Sequence, residues 1–215
     1  MIIPANAKLL FIGDSITDAD RKRPVGEGLF DPYGKGYVSM VEAMLTSTYP
    51  ERAIRVANVG TSGNTVKDLK ARWQTDVLDL RPTHLSVMIG INDVWRQFDS
   101  PKMAEWHVLP DEYEIIFGQL LDRTRPAVSK MILMTPFYIE PNRSDAMRKR
   151  MDEYGAIVKK LAKYADAVVV DVQAVFDEAL KHMHSSALSW DRVHPNQAGH
   201  MIMARAWLKA VGYQW

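Results

Sequence analysis

Two hydrophobic periods alternate along this chain, and that alternation limits its fold more than any other feature. Short apolar runs occur at Leu9 to Ile12, Ile54 to Val59, Leu85 to Ile89, Met131 to Met134 and Val168 to Val172. Between them lie longer stretches with helical spacing at 37–48, 65–79, 111–124, 145–164 and 173–183, with a last one at 197–211. The short runs are rich in Val, Ile, Leu and Met, the composition of strands covered on both faces. Alternating with helices, they predict one five-stranded parallel sheet with helices on both sides and right-handed crossovers. No internal repeat, low-complexity tract or linker interrupts the pattern, so a single domain over residues 1–215 is expected.

Composition removes several function classes. At 47% hydrophobic and 25% charged residues, the 215-residue chain can order and bury a core without metal or disulfide staples. Its 27 basic residues face 26 acidic ones, a net charge of +1 that leaves no global footprint for nucleic acid or an anionic membrane. Cysteine is absent, which excludes disulfide scaffolds, cysteine-type zinc sites and thiol nucleophiles. The longest apolar stretches, Ser86 to Ile91 and Ala167 to Val170, are far too short to span a bilayer. Ala5-Asn6-Ala7 imitates a signal-peptidase site, but no charged or apolar segment of useful length precedes it, and Lys8 to Gly13 read better as a first strand. A cytoplasmic enzyme or binding protein is the expectation. The basic stretch Arg148-Lys149-Arg150, with Lys159, Lys160 and Lys163, lies on an amphipathic pattern with Met147, Met151, Ile157, Val158 and Leu161, and reads as a solvated helix face.

In an open parallel sheet, ligands bind beyond the carboxyl ends of the strands, so the residues leaving each strand carry the chemistry. Gly13-Asp14-Ser15 follows the first strand, Gly60-Thr61-Ser62-Gly63-Asn64 the second, and Gly90-Ile91-Asn92-Asp93 the third; Asp191-Arg192-Val193-His194-Pro195 precedes the last helix. Singly, each has an ordinary reading: Asp14 or Ser15 as a helix cap, Asn92-Asp93 as a self-bonded loop, Asp191 and His194 as a surface pair. Together they supply every part that nucleophilic acyl transfer needs. Serine is a poor nucleophile until a base takes its proton, and His194 can serve. Asp191 can fix the tautomer of that ring and stabilise the imidazolium as it forms. The backbone N–H groups of Ser15 and Gly63 and the side-chain amide of Asn92 can receive the oxyanion.

The four segments resemble the blocks of the SGNH (GDSL-type) hydrolases: Gly-Asp-Ser near the start, a glycine after the second strand, Gly-x-Asn-Asp, and Asp-x-x-His near the end. The resemblance is closest to the intracellular acetylxylan esterases of that family, through Gly63-Asn64-Thr65, Ile89 to Trp95 and Trp190 to Pro195. It implies a three-layer, flavodoxin-like α/β/α sandwich and serine esterase chemistry through an acyl-enzyme on Ser15, with no cofactor and no metal. The implied substrate is a small acetylated carbohydrate, with xylo-oligosaccharides in first place. Gly63 is favoured over Gly60 because the family's glycine is followed by a polar residue and threonine. Trp95 and Trp190, each attached to a catalytic loop, are candidates to hold sugar on their flat apolar faces. Tyr138 joins them, with Tyr33 and Trp215 behind, on the resemblance alone. A homo-oligomer is a further implication.

Other readings remain on the table. Lipid esterases, lysophospholipases and thioesterases use the same fold, so the motifs do not write the acyl chain or the alcohol. Ser62 stands between glycines, but Gly60-Thr61-Ser62-Gly63 does not fit Gly-x-Ser-x-Gly, and a turn is expected there. His182, His184, His194 and His200 crowd the last quarter without a metal-ligand spacing. The glycines at 26, 28, 34 and 36 do not match a phosphate loop and point to a flexible loop beside the site. A non-catalytic carbohydrate-binding module would need no complete Ser-His-Asp set.

Overall fold

The computed structural model describes residues 1–215. Its strands are β1 (Lys8–Gly13), β2 (Arg55–Asn58), β3 (His84–Met88), β4 (Lys130–Met134) and β5 (Val168–Val170), each within two residues of the apolar run that predicts it. They form one parallel sheet in the order β2-β1-β3-β4-β5, the flavodoxin-like order. Register aligns the carboxyl ends of the central strands: Gly13 lies beside Met88, and Met88 beside Met134. The segments that leave β1, β2 and β3 therefore emerge along one edge of the sheet.

The principal helices are α1 (Ser15–Asp18), α2 (Tyr37–Thr48), α3 (Val66–Trp73), α4 (Ile91–Asp99), α5 (Pro110–Thr124), α6 (Ala146–Tyr164), α7 (Val172–Ala179) and α8 (Gln197–Ala210). Helices α2, α7 and α8 pack against one another, and α3 to α6 form a second group. The sheet between them gives three layers. Trp207 of α8 lies on Phe11 and donates its indole N–H to Ser86 of β3, while Trp73 of α3 donates to Thr124 of α5. Both indoles are fully buried with their polar edge satisfied. The buried hydrophobic residues form one contiguous cluster of 54.

Three expectations need correction. Residues 65–79 are not one regular helix, because after Trp73 the chain widens into a π-type turn over Gln74–Leu78. Helix α4 is absent from the sequence reading, since its first turn holds Asn92 and Asp93, a pair that reads as loop; both are buried at its N-terminus. The basic face of α6 is not wholly solvated. Arg148 is only 2% exposed and pairs with Asp152 and Asp177.

Candidate active site

Ser15 opens α1 immediately beyond β1. Asp14 caps that helix, one carboxylate oxygen accepting the N–H of Ile16 at 3.0 Å, the ordinary cap for such a turn. The serine hydroxyl lies 2.9 Å from His194 Nε2, and Nδ1 of the same ring lies 2.6 Å from Asp191 Oδ2. Residues 179 positions apart in the chain thus form one continuous line of hydrogen bonds. Asp191 is also the hub of its own turn: Oδ1 accepts the N–H groups of Val193 and His194 and the hydroxyl of Ser189. Burial works against its charge, but the His194 ring and these N–H groups outweigh it and hold its pKa at about 2.

The loop after β2 is tied down residue by residue. Arg21 donates to the Gly60 carbonyl, and the Gly60 N–H donates to Asn58 Oδ1 at 2.9 Å. A Cβ at Gly60 would meet the Asp18 backbone nitrogen at 2.4 Å, so glycine there permits close packing. Its N–H is engaged and faces inward. Gly63 is the opposite case: its φ is +82°, nothing lies within 4 Å of where a Cβ would stand, and its N–H meets no protein acceptor. These observations separate the two glycines as the sequence pattern does. Ser62 Oγ and N–H both donate to Asp18, so that serine is a fastening of the loop.

Asn92 stands in the first turn of α4, and its Nδ2 donates to the Asn64 carbonyl at 3.0 Å, joining the loops after β2 and β3. One N–H of that amide remains. Its Oδ1 receives Arg96 Nη2 at 3.3 Å, which fixes which end of the amide faces the loop. Asp93 is fully buried; one oxygen accepts the Val66 N–H at 2.9 Å and the other has no partner. Burial raises the pKa of Asp93 to about 8 and that of Asp14 to about 7. His200 lies beneath the site with Nδ1 accepting the Tyr37 N–H, and burial, reinforced by the charge of His194, lowers its pKa to about 4.

The aromatic candidates divide. The Trp95 ring packs edge-on to His194 with centroids 5.7 Å apart, and the Arg96 guanidinium lies over the same ring at 5.0 Å from its centroid. Trp190, next to Asp191, is 93% exposed. Tyr138 is half-buried and its hydroxyl lies against Arg192, inside the Asp191–His194 segment. Trp215 is not brought to these loops: it stacks on Tyr213 and Arg205 beyond the far end of α8. Tyr33 lies in the 26–36 loop, its carbonyl held by Asn58. No group of three or more His, Asp or Glu side chains is arranged to hold a metal ion, and His182 and His184 fall beyond the end of α7. Sequence reasoning quoted Asp93 in its motif without giving it a role, and missed Arg96, Asp18 and Arg72, the last of which donates to Gly13, Val59 and Asn64 and so ties two strand ends to the loop. Asp18 and Arg72 carry no signal in their spacing, because groups they hold lie 44 and 59 residues away; Arg96 bonds locally, to Asn92 and Asp99.

A serine, imidazole and carboxylate in line at the carboxyl edge of a flavodoxin-like sheet are the equipment of a serine hydrolase. Residues 11–202 match the GDSL-like lipase/acylhydrolase family, and the chain belongs to that family of carboxylic ester hydrolases. It is 56% identical over 215 residues, all of this chain and 98% of the relative, to an acetylxylan esterase of Geobacillus stearothermophilus. The crystal structure of that esterase, Axe2, superposes with a TM-score of 0.99 over 100% of this chain and 98% of that one. Solved catalytic mutants of Axe2 carry S15A, D191A and H194A. No helix of this chain is long and apolar enough to cross a membrane.

Proposed function

We propose that the chain is an acetyl esterase acting on acetylated sugars, xylo-oligosaccharides foremost, through an acetyl-enzyme on Ser15. The observation that carries the reading is the unbroken Ser15–His194–Asp191 line, with contacts of 2.9 and 2.6 Å. The 56% identity to an acetylxylan esterase supports the substrate class. His194 Nε2 takes the Ser15 proton as Oγ attacks the acetyl carbonyl carbon. The N–H groups of Ser15 and Gly63 and the Asn92 amide receive the oxyanion. The intermediate collapses with transfer of the proton from His194 to the departing sugar hydroxyl. Water then attacks the acetyl-enzyme by the same route in reverse, releasing acetate. Asp191, ionised throughout, keeps the imidazole in the donor-acceptor tautomer that both halves require.

Trp95, Trp190 and Tyr138 hold the sugar in this reading. Trp190 carries a second reading as well: an indole 93% exposed on a lone chain is also the anatomy of a subunit contact, and a homo-oligomer is part of the proposal. A cysteine-free chain suits the reducing cytoplasm, where short oligosaccharides are the accessible substrates. The deciding experiment is acylation. Brief incubation with an acetyl ester and acid quench should leave an acetyl group on Ser15 by mass spectrometry. Ser15→Ala should fold and lose nearly all activity, while Ser62→Ala retains most of it. An adduct on another residue, or preference for medium-chain esters or lysophospholipids over acetylated xylo-oligosaccharides, overturns the corresponding half of the reading.

A further inference from the structure

The segment that carries Asp191 and His194 is self-bonded, since Asp191 Oδ1 accepts the N–H groups of Val193 and His194. Those bonds set its local shape. They do not set its position relative to Ser15, which hangs from β1 on the other side of the cleft. That position depends on contacts to other elements, and Arg192 makes them. Arg192 stands between the two residues with a φ of +65°, a left-handed backbone that disfavours any residue bearing a Cβ. The chain keeps it there by two bonds to the segment after β4: the Ile139 N–H donates to the Arg192 carbonyl at 2.9 Å, and the Arg192 guanidinium pairs with the Glu140 carboxylate.

Residues 138–140 are anchored in turn from behind. The Glu140 side chain is only 10% exposed, and its second oxygen accepts the Asn142 N–H at 2.8 Å. Arg148, at the start of α6, donates to the Glu140 carbonyl at 2.6 Å and to Asp152 and Asp177. Gln173 of α7 takes both backbone polar groups of Tyr138, at 2.8 and 3.1 Å, and donates to the same Asp177. Helices α6 and α7 therefore grip residues 138–140, and residues 138–140 grip Arg192. This gives the buried Arg148 a purpose that a solvated helix face does not.

We propose that Glu140 is a positioning residue: through its ion pair with Arg192 it holds the left-handed turn that keeps Asp191 and His194 in line with the Ser15 hydroxyl. The proposal rests on the reading of His194 as the general base. Reactive groups displaced by about 1 Å lose on the order of a hundredfold in rate, so an ion pair to a buried carboxylate, made one residue from Asp191 and two from His194, has leverage on kcat.

The test compares Glu140→Gln, Arg192→Gly and the double variant on 4-nitrophenyl acetate and on acetylated xylo-oligosaccharide, with His194→Ala as control and thermal melts to verify folding. Glu140→Gln should lower kcat about tenfold or more on both substrates, with KM within twofold of the parent. Arg192→Gly, which relieves the backbone but removes the guanidinium, should lose the same factor, and the double variant no more than either. In an Asp191→Asn background, where the imidazole is held in the wrong tautomer and its position no longer matters to the Ser15 proton, Glu140→Gln should cost nothing further. Full activity of Glu140→Gln in an enzyme that needs His194 overturns the proposal. So does a loss confined to the oligosaccharide, which would make the pair a sugar contact. An equal loss in the Asp191→Asn background also overturns it, as the mark of general destabilisation. Substantial activity in His194→Ala would instead remove the base reading itself, an outcome distinct from the other three.

Discussion

Asp93 is the most exacting place to perturb this site. It follows the proposed oxyanion donor Asn92, is fully buried, and has one satisfied oxygen and one without a partner. Burial raises its pKa to about 8, against the pull of the Val66 N–H in the other direction. The folded chain therefore keeps a proton that the unfolded chain releases near pH 4. Its contribution to stability is fully present below pH 4, is lost as pH rises toward about 8, and is constant beyond. At ~1.4 kcal/mol per pH unit, the loss between pH 5 and 8 is roughly 4 kcal/mol. Asp93→Asn keeps an acceptor for Val66 and needs no proton, so guanidinium unfolding at pH 5 and pH 8 should show a loss smaller by that amount in the variant than in the parent, the remainder coming from Asp14, whose pKa burial raises to about 7. Activity gives a second readout. Above pH 8 the parent places a carboxylate on the residue next to the proposed oxyanion donor Asn92, a negative charge that opposes the forming oxyanion and lowers kcat. An alkaline limb near pH 8 in the parent, absent in Asp93→Asn, is the expected result. Parallel stability slopes and identical limbs would refute the reasoning.

The other expectations follow from single contacts. Asn92→Ala should lower kcat by roughly 10²–10³ with little change in KM, since the donor matters once charge has developed; a defect in KM alone would make Asn92 a ground-state contact. His200 has its pKa lowered to about 4 by burial, so the unfolded chain takes up a proton from about pH 6.5 downward while the folded chain does not. Its stability contribution is lost as pH falls from about 6.5 to about 4, and melts across that window should show His200→Gln gaining stability relative to the parent as pH falls. Trp95→Ala and Trp190→Ala should damage turnover of acetylated xylo-oligosaccharide far more than that of a small acetate ester. Equal losses, or a change of sedimentation coefficient in Trp190→Ile, would give the indole a structural or subunit role instead.

What could be read without coordinates follows a physical division. The five strands are legible because a strand covered on both faces must be apolar at nearly every position, and no other element of five residues looks like that. The Ser15, Gly63 and Asn92 segments stand out because acyl transfer needs those residue types at strand exits, and the Asp191–His194 segment because it sets a base and its orienter three residues apart before the last helix. Helix α4 is not legible: its first turn must be polar to serve the site, and polar residues after a glycine look like loop. Arg148 is misread for the converse reason. It stands one position after Met147 and three before Met151, on the edge of the apolar stripe of α6, yet an arginine in a basic run suggests solvent until its partners on α7 are known. The signal was its place on the stripe. Glu140, Asp18 and Arg72 have no signal at all, because their bonds reach 52, 44 and 59 residues along the chain.

Those long-range bonds explain why so short a set of motifs suffices for a working site. The reactive groups come from four separate segments, and each segment is irregular enough to move if left alone. Each is fixed by charged or amide side chains bonding to backbone: Asn58 and Arg21 on Gly60, Arg72 on Gly13 and Val59, Asn92 on Asn64, and Asp191 on Val193 and His194. A side chain that bonds a carbonyl or N–H specifies position without specifying the residue it holds, so the held residues are free to be chosen for chemistry. Gly63 shows the result. Its neighbours Ser62 and Asn64 are both tied by side chains, to Asp18 and to Arg72, while its own N–H points free at a φ of +82°. The rigidity of Gly63, the proposed oxyanion donor, therefore resides in residues on either side of it. A substitution at Asp18 or Arg72 should accordingly impair kcat by letting Gly63 shift, although it removes no group proposed to touch substrate.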